Sequence, residues 1–297
     1  MTFLFLNNLW YLILNSGRRL LLPYLLRRAK RLYPRITTNG SVRRLTSKTV
    51  LKTSTHYSIA LEAENTRFIC QNTTIPVPRV HDVWADKNGD GYLIMDYVPG
   101  ETLARAWKRI TPEQRRTVVR ILGGYVRQLR TIRQPPMPPR SGQSGWIGSA
   151  NGNKGYDMRI TLSKTWGPFP NEREYNDWRI STFSLFGDTS EKVGLRLRQI
   201  RKEMPDDHRI CFTHGDINQR NVLVRVDGEG PEDIAVVGLL DWEQAGWRPE
   251  YWEKVKLFYV MGSNPEWCAL ARAEIEPGYE DELRREDELS LISGPPL

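Results

Sequence analysis

From Ser41 onward the chain runs in short stretches in which apolar and polar residues alternate. S-V-R-R-L (Ser41–Leu45) and K-T-V-L-K (Lys48–Lys52) have the period of two expected of half-buried strands. Y-L-I-M-D-Y (Tyr92–Tyr97) follows the turn-forming K-N-G-D-G and reads as a third strand. Between them, Ser58–Gln71 changes to helical spacing: Ile59, Thr66 and Ile69 fall on one stripe, Glu62 lies on that stripe, and Glu64 points elsewhere. The prolines of T-I-P-V-P-R-V favour an extended segment. Thr111-Pro112-Glu113-Gln114 is a helix start with a capping hydroxyl, a first-turn proline and a capping-box glutamine; the helix should run to about Arg133, before P-P-M-P-P-R. The pattern turns from strand-rich to helix-rich near residue 100. It predicts an N-terminal segment over 1–40, a small sheet-based lobe over 41–99, a larger helical lobe over 100–290, and a tail over 291–297.

Composition adds little until it is resolved along the chain. The 39% apolar and 26% charged residues describe an ordinary soluble globular protein, and three scattered cysteines read as reduced thiols rather than a disulfide or zinc framework. The net charge of +8 is localised. Of the 43 Lys and Arg, eleven precede Glu62 and no acid does, so the rest of the chain carries 32 bases against 35 acids. A nucleic-acid-binding body is therefore not expected. The basic segment opens on F-L-F-L-N-N-L-W-Y-L-I-L, twelve residues interrupted by Asn7 and Asn8, which is short for a membrane span. Its positive charge follows the apolar run, the reverse of a secretory signal. Three readings remain open: a helix docked on the protein's own body, peripheral contact of residues 1–31 with an anionic membrane surface, or a cleaved targeting segment. A cytoplasmic monomer, with or without that contact, is expected.

The chemistry concentrates in T-H-G-D-I-N-Q-R-N (Thr213–Asn221). Asp216 and Asn221 are five residues apart, the spacing by which kinases place a catalytic carboxylate and a metal-binding amide on one loop. V-L-V-R-V, the turn D-G-E-G-P-E-D and the strand I-A-V-V-G-L-L follow, ending at Asp241. A hairpin returns its ends to one edge, so Asn221 and Asp241 can offer hard oxygen ligands to a common Mg²⁺. Earlier, Lys52 ends a strand ten residues before Glu62, a pairing by which kinase-like folds hold a lysine against nucleotide phosphates; Lys48 and Glu64 are the alternatives. Gly40 is a candidate phosphate-covering turn, and the backbone of Asp96, Tyr97 and Val98 a candidate edge for adenine. S-G-Q-S-G-W-I-G-S-A-N-G-N-K-G with W-G-P-F-P is a long insertion that Trp146, Ile147, Trp166 and Phe169 should anchor, placed to select an acceptor. Glu274–Glu288 reads as a solvated helix or frayed tail.

H-G-D-I-N-Q-R-N-V-L-V with G-L-L-D-W-E-Q-A-G-W-R-P-E-Y-W-E resembles the aminoglycoside phosphotransferase and choline kinase-like family, and especially its fungal members. T-T-I-P-V-P-R-V, I-M-D-Y-V-P-G-E-T-L and W-G-P-F share the likeness, which runs from Ser41 to Trp267. The resemblance implies an α+β, bilobal protein-kinase-like fold with a small antiparallel-sheet lobe and a larger helical lobe. It also implies MgATP as donor and a small-molecule hydroxyl as acceptor. Carried over, Asp216 is the catalytic base, Asn221 and Asp241 the metal ligands, Lys52 the phosphate-binding lysine and Glu62 its partner. D-W-E in place of D-F-G, and Asn218 two places after the aspartate, argue against a protein substrate. The competing reading is a nucleotide-binding pseudokinase or scaffold without transferase activity.

Overall fold

The computed structural model describes residues 17, 22–33, 41–136, 145–160, 165–186, 190–259, 264–275 and 278–293. Gly40 and the apolar opening run lie outside the described residues. The chain divides into two compact units, residues 1–59 with 80–97, and residues 60–79 with 98–297. Among the described residues no helix is long and apolar enough to cross a membrane.

In the first unit, residues 22–32 are helical (α1). Leu22, Leu25, Leu26, Ala29 and Tyr33 are at least half-buried, a stripe at helical spacing that turns inward, while Tyr24, Arg27, Arg28, Arg31 and Leu32 are exposed. The Arg44 guanidinium lies over the rings of both Tyr33 (4.7 Å) and Tyr97 (3.7 Å), a cation–π bridge that ties α1 to the sheet. That sheet is antiparallel, in the order β1-β2-β4-β3, from β1 (Val42–Arg44), β2 (Thr49–Thr55), β3 (Val80–Ala85) and β4 (Asp90–Asp96). In β4, Gly91, Leu93 and Met95 are buried and alternate with half-buried neighbours, as the sequence period requires. The Asp86 carboxylate shapes the β3–β4 turn by accepting the N–H groups of Asn88 (2.8 Å) and Asp90 (3.1 Å). β3 escapes the sequence pattern because its register shifts between Val80 and Asp82, which breaks the alternation.

Helix α2 (His56–Asn72) begins in the first unit and continues into the second. There the elements are β5 (Glu101–Thr102), α3 (Leu103–Ala106), α4 (Pro112–Thr131), α5 (Glu172–Phe186), α6 (Glu191–Glu203), β6 (Ile210–Thr213), β7 (Val222–Val226), β8 (Ile234–Leu239), β9 (Gly246–Pro249), α7 (Trp252–Tyr259), α8 (Pro265–Glu274) and α9 (Glu280–Ser293). The strands form two antiparallel ladders, β5-β7-β8 and β6-β9. The expected capping box is present at the start of α4: Gln114 N–H donates to Thr111 Oγ1 and the Gln114 side chain accepts the Thr111 N–H. The buried stripe Val118, Val119, Leu122, Val126 and Leu129 of α4 joins Phe212, Trp242, Trp247 and Trp267 in the main core.

The acidic C-terminal stretch is not a solvated or frayed segment. Leu283, Glu286 and Leu289, three residues apart, turn one face of α9 into the protein. Glu286 is 1% exposed and forms a two-pronged ion pair with the equally buried Arg179 of α5, whose second nitrogen lies 2.8 Å from Oε2. The paired charge is what allows an acid to occupy a buried stripe. Glu286→Ala strands Arg179 without its carboxylate and should lower stability by about 3–5 kcal/mol, read as a reduced urea midpoint at unchanged slope.

Candidate active site

Residues 214–221 connect β6 to β7, and this loop is held almost wholly by hydrogen bonds to its own backbone. Gly215 has φ +73°, and a Cβ there would stand 2.9 Å from the Gln244 carbonyl oxygen, so the position requires glycine. The buried Glu253 of α7 accepts the N–H of His214 (2.7 Å) and of Gly215 (3.1 Å) on its carboxylate. His214 is fully buried, with Nδ1 accepting the Asp216 N–H (3.0 Å) and Nε2 facing the Leu240 carbonyl (3.0 Å). That arrangement assigns the proton to Nε2. Burial lowers the imidazole pKa to about 4, so His214 is a neutral brace packed on the Trp242 ring at 4.4 Å.

Asp216 projects from this braced loop. Its Oδ1 accepts from Asn218 Nδ2 (3.1 Å) and its Oδ2 from Asn221 Nδ2 (2.8 Å), and both amides also donate to its own carbonyl. Burial, followed by the nearby Asp241 charge, pushes its pKa up to about 6, against the opposing pull of Lys256 and the two amides. The reference acidity of its residue type therefore understates Asp216 as a proton acceptor.

The β7–β8 hairpin pairs Val222 with Leu239, and the ladder continues as Leu240 N–H donates to the Asn221 carbonyl at 2.8 Å. Asp241 follows at once, in the left-handed region (φ 69°, ψ 63°), and leads into a 3₁₀ turn, Trp242–Gln244. The sequence-predicted residues Asp216, Asn221 and Asp241 thus share one braced loop and one hairpin end. Glu62 joins them: it is buried on α2, and carboxylate oxygens of Glu62, Asp241 and Glu243 lie within 4.8 Å of one another. Glu64 is committed elsewhere, accepting from Ser149 Oγ (2.6 Å), Asn151 N–H (2.9 Å) and Asn153 Nδ2 (3.1 Å).

In the first unit, Lys52 sits half-buried on β2 opposite Leu93, whereas Lys48 is exposed. The Asp96 carboxylate lies 2.6 Å from His81 Nε2, and the Tyr97 N–H donates to the Lys48 carbonyl at 2.7 Å. Val98 begins the second stretch of the second unit, residues 98–297.

These donors suit a hard divalent cation. Three carboxylates with oxygens this close supply the hard donors that such a cation prefers. Asn221 spends its Nδ2 on Asp216, which leaves Oδ1 as the acceptor end of the amide. Three supports went unread in the sequence: Glu253, Asn65 and Lys256. Glu253 and Asn65 act on main-chain groups. The buried Lys256 Nζ donates to Asp157 Oδ1 (2.6 Å) and Gln244 Oε1 (2.8 Å), partners that no short motif places beside it.

A model of the phosphotransferase enzyme family matches residues 18–289. Among solved structures the chain is similar to the apo form of a thermostable mutant of aminoglycoside phosphotransferase APH(4)-Ia, with a TM-score of 0.55 and 16% identity over 82% of this chain and 78% of that one. It is also similar to the ternary complex of such a mutant with ADP and hygromycin B, with a TM-score of 0.52 and 16% identity over 84% and 75% of the two chains. The GDP and kanamycin complex of APH(2")-IIia gives a TM-score of 0.53 and 13% identity over 85% and 78%. No curated protein sequence matches the chain significantly. At these identities the solved structures establish a shared fold, an antiparallel sheet with a larger helical part. With a family match that spans nearly its whole length, the chain belongs to the phosphotransferase enzyme family.

Proposed function

We propose that the protein transfers the γ-phosphoryl group of ATP to a hydroxyl of a small molecule. The observation that carries this reading is the join between loop and hairpin: Asn221 donates to Asp216 through its side chain and accepts from Leu240 through its carbonyl, one residue before Asp241. A single residue thereby links a carboxylate suited to a hydroxyl nucleophile with a carboxylate suited to a cation. The similar structures include complexes of those proteins with ADP and hygromycin B and with GDP and kanamycin, which favours a polyhydroxylated acceptor.

In the reaction the acceptor oxygen forms a bond to Pγ as the bond from Pγ to the bridging oxygen of ADP breaks. Asp216 aligns the hydroxyl and takes its proton late, since a carboxyl of pKa about 6 cannot ionise an alcohol in advance. Asn218 and Asn221 fix the carboxylate's two oxygens. Mg²⁺ held by Asn221 and Asp241, with Glu62 and Glu243 beside Asp241, would neutralise charge on the phosphates. In the first unit, Lys52 is the candidate for further positive charge on the phosphates, and the backbone of Asp96 and Tyr97 the candidate edge for the base. Positioning carries most of the rate.

Asp216→Asn should leave MgATP binding within a few-fold of wild type and reduce turnover by about 10²–10⁴-fold. Asp241→Ala should abolish MgATP binding measured by calorimetry. ATP consumption is to be screened against aminoglycosides and hydroxylated metabolites. Consumption that persists in Asp216→Asn, or a folded protein that binds no MgATP, would refute the assignment.

The acidity of the loop gives a separate test on metal-free protein. Asp216 has a folded pKa of about 6 against an ordinary 3.8, so the folded state holds a proton that the unfolded state releases across that window; its contribution falls as pH rises. His214, at about 4 against 6.5, has the opposite sign: the unfolded state binds the extra proton, and stability rises with pH. The two nearly cancel in wild type between about pH 4 and 6. Asp216→Asn removes only the first, so the variant should gain on the order of 1–3 kcal/mol relative to wild type between pH 4 and 7. Urea unfolding at each pH reads the difference, and a variant that tracks wild type would exclude an elevated Asp216 pKa.

A further inference from the structure

Asp241 holds a left-handed backbone, φ 69° and ψ 63°, without being glycine. Such a conformation costs about 1–2 kcal/mol and persists only where the surroundings over-determine it. On its N-terminal side the restraint is the Leu240 N–H bond to Asn221. On its C-terminal side the restraint comes from a residue 176 positions earlier in the chain. Asn65 on α2, fully buried, donates from Nδ2 to the carbonyls of Trp242 (2.8 Å) and Ala245 (3.0 Å), the two ends of the turn that follows Asp241.

The same side chain reaches a third segment. Asn65 Oδ1 accepts the Ala150 N–H at 3.2 Å, and the adjacent Glu64 binds Ser149, Asn151 and Asn153 of that insertion. A second tie closes from the other end of the insertion, where Gln244 Oε1 accepts the Met158 N–H (2.9 Å) and the Lys256 ammonium (2.8 Å). The turn after Asp241 is therefore held by Asn65 of α2 and by Met158 at one end of the insertion, and the 149–153 end is tied to it through Asn65. Asn65 and Glu62 lie one helical turn apart, so a single rigid helix carries both the clamp and one of the carboxylates beside Asp241.

We propose that Asn65 is a positioning residue for the cation site: by fixing the Trp242–Ala245 carbonyls it keeps Asp241 in its left-handed conformation, with its carboxylate beside those of Glu62 and Glu243. The proposal rests on the phosphotransferase reading, in which Asp241 is a metal ligand. It assigns the insertion a role in metal binding in addition to any contact with acceptor.

Asn65→Asp isolates the clamp. It is nearly isosteric and keeps an oxygen for the Ala150 N–H, but sets an oxygen against the two carbonyls. Its added negative charge would by itself favour cation binding, so a weakened site reports geometry. The measurement is Mn²⁺ binding in the presence of ADP, followed by loss of the free-ion electron paramagnetic resonance signal, with thermal unfolding to confirm the fold. About a tenfold loss of Mn²⁺ affinity is expected, as for other residues that orient metal ligands. In an Asp241→Asn background the same change should cost less than about threefold, because it acts through the ligand already weakened. Affinity within twofold of wild type, or equal losses in both backgrounds, overturns the proposal. Should Asn65→Asp fail to fold, Ser149→Ala loosens the insertion without adding charge; about a two- to fivefold loss, again smaller with Asp241→Asn, is expected. Unchanged binding in that variant overturns the proposal. A wild-type protein that binds no Mn²⁺ with ADP would instead overturn the phosphotransferase reading, and this one with it.

Discussion

Carboxylate oxygens of Glu62, Asp241 and Glu243 lie within 4.8 Å of one another, and the Asp241 charge is felt at Asp216. Like charges at such separations oppose one another. Flexible carriers would relieve that repulsion by moving apart. Here the carriers are rigid: Glu62 stands on α2, Asp241 sits between a paired hairpin end and a clamped turn, and Asp216 is fixed by two amides. The surrounding charge follows from the same constraint. His214 stays neutral and contributes hydrogen bonds only, while the buried Lys256 ammonium lowers the Asp216 pKa without displacing its amide partners. Carboxylates held at fixed positions in this way present hard oxygen donors without rearrangement.

What could be read from the sequence were the parts determined by neighbours in sequence. The five-residue spacing from Asp216 to Asn221, the return of the hairpin to Asp241 and the capping box at Thr111 are all local patterns, and each has a local physical cause. The supports were illegible for the opposite reason. Glu253 and Asn65 act on peptide groups, which carry no residue identity, and the Asn65 partners lie 177 and 180 positions away. Helix α9 shows how a pattern can mislead. Its buried stripe contains Glu286, and an acid in that stripe counts against burial until Arg179 is placed opposite it. Glu62 is a mixed case: its stripe on α2 was visible, but its place beside Asp241 and Glu243 required the fold.

The insertion over residues 145–160 joins these two themes. Its anchors Trp146, Ile147, Trp166 and Phe169 were visible in the sequence, and the structure builds them into the second unit. Ile147 pairs with Phe169, Gly155 with Trp166 and Gly148 with Trp247. The Arg248 guanidinium lies 4.4 Å over the Trp166 ring and donates to the carbonyls of Gly148 and Trp247. Gly246 approaches the Gly148 carbonyl so closely that a Cβ would stand 2.2 Å from it. A segment held this tightly loses its ordering entropy on folding, so a ligand that touches it would not incur that cost again. For the proposed phosphoryl transfer such rigidity would matter most at Asp216, whose modest basicity would leave alignment as the main source of rate. The 149–153 end of the insertion and the turn after Asp241 share Asn65, so the rigidity of one is the rigidity of the other.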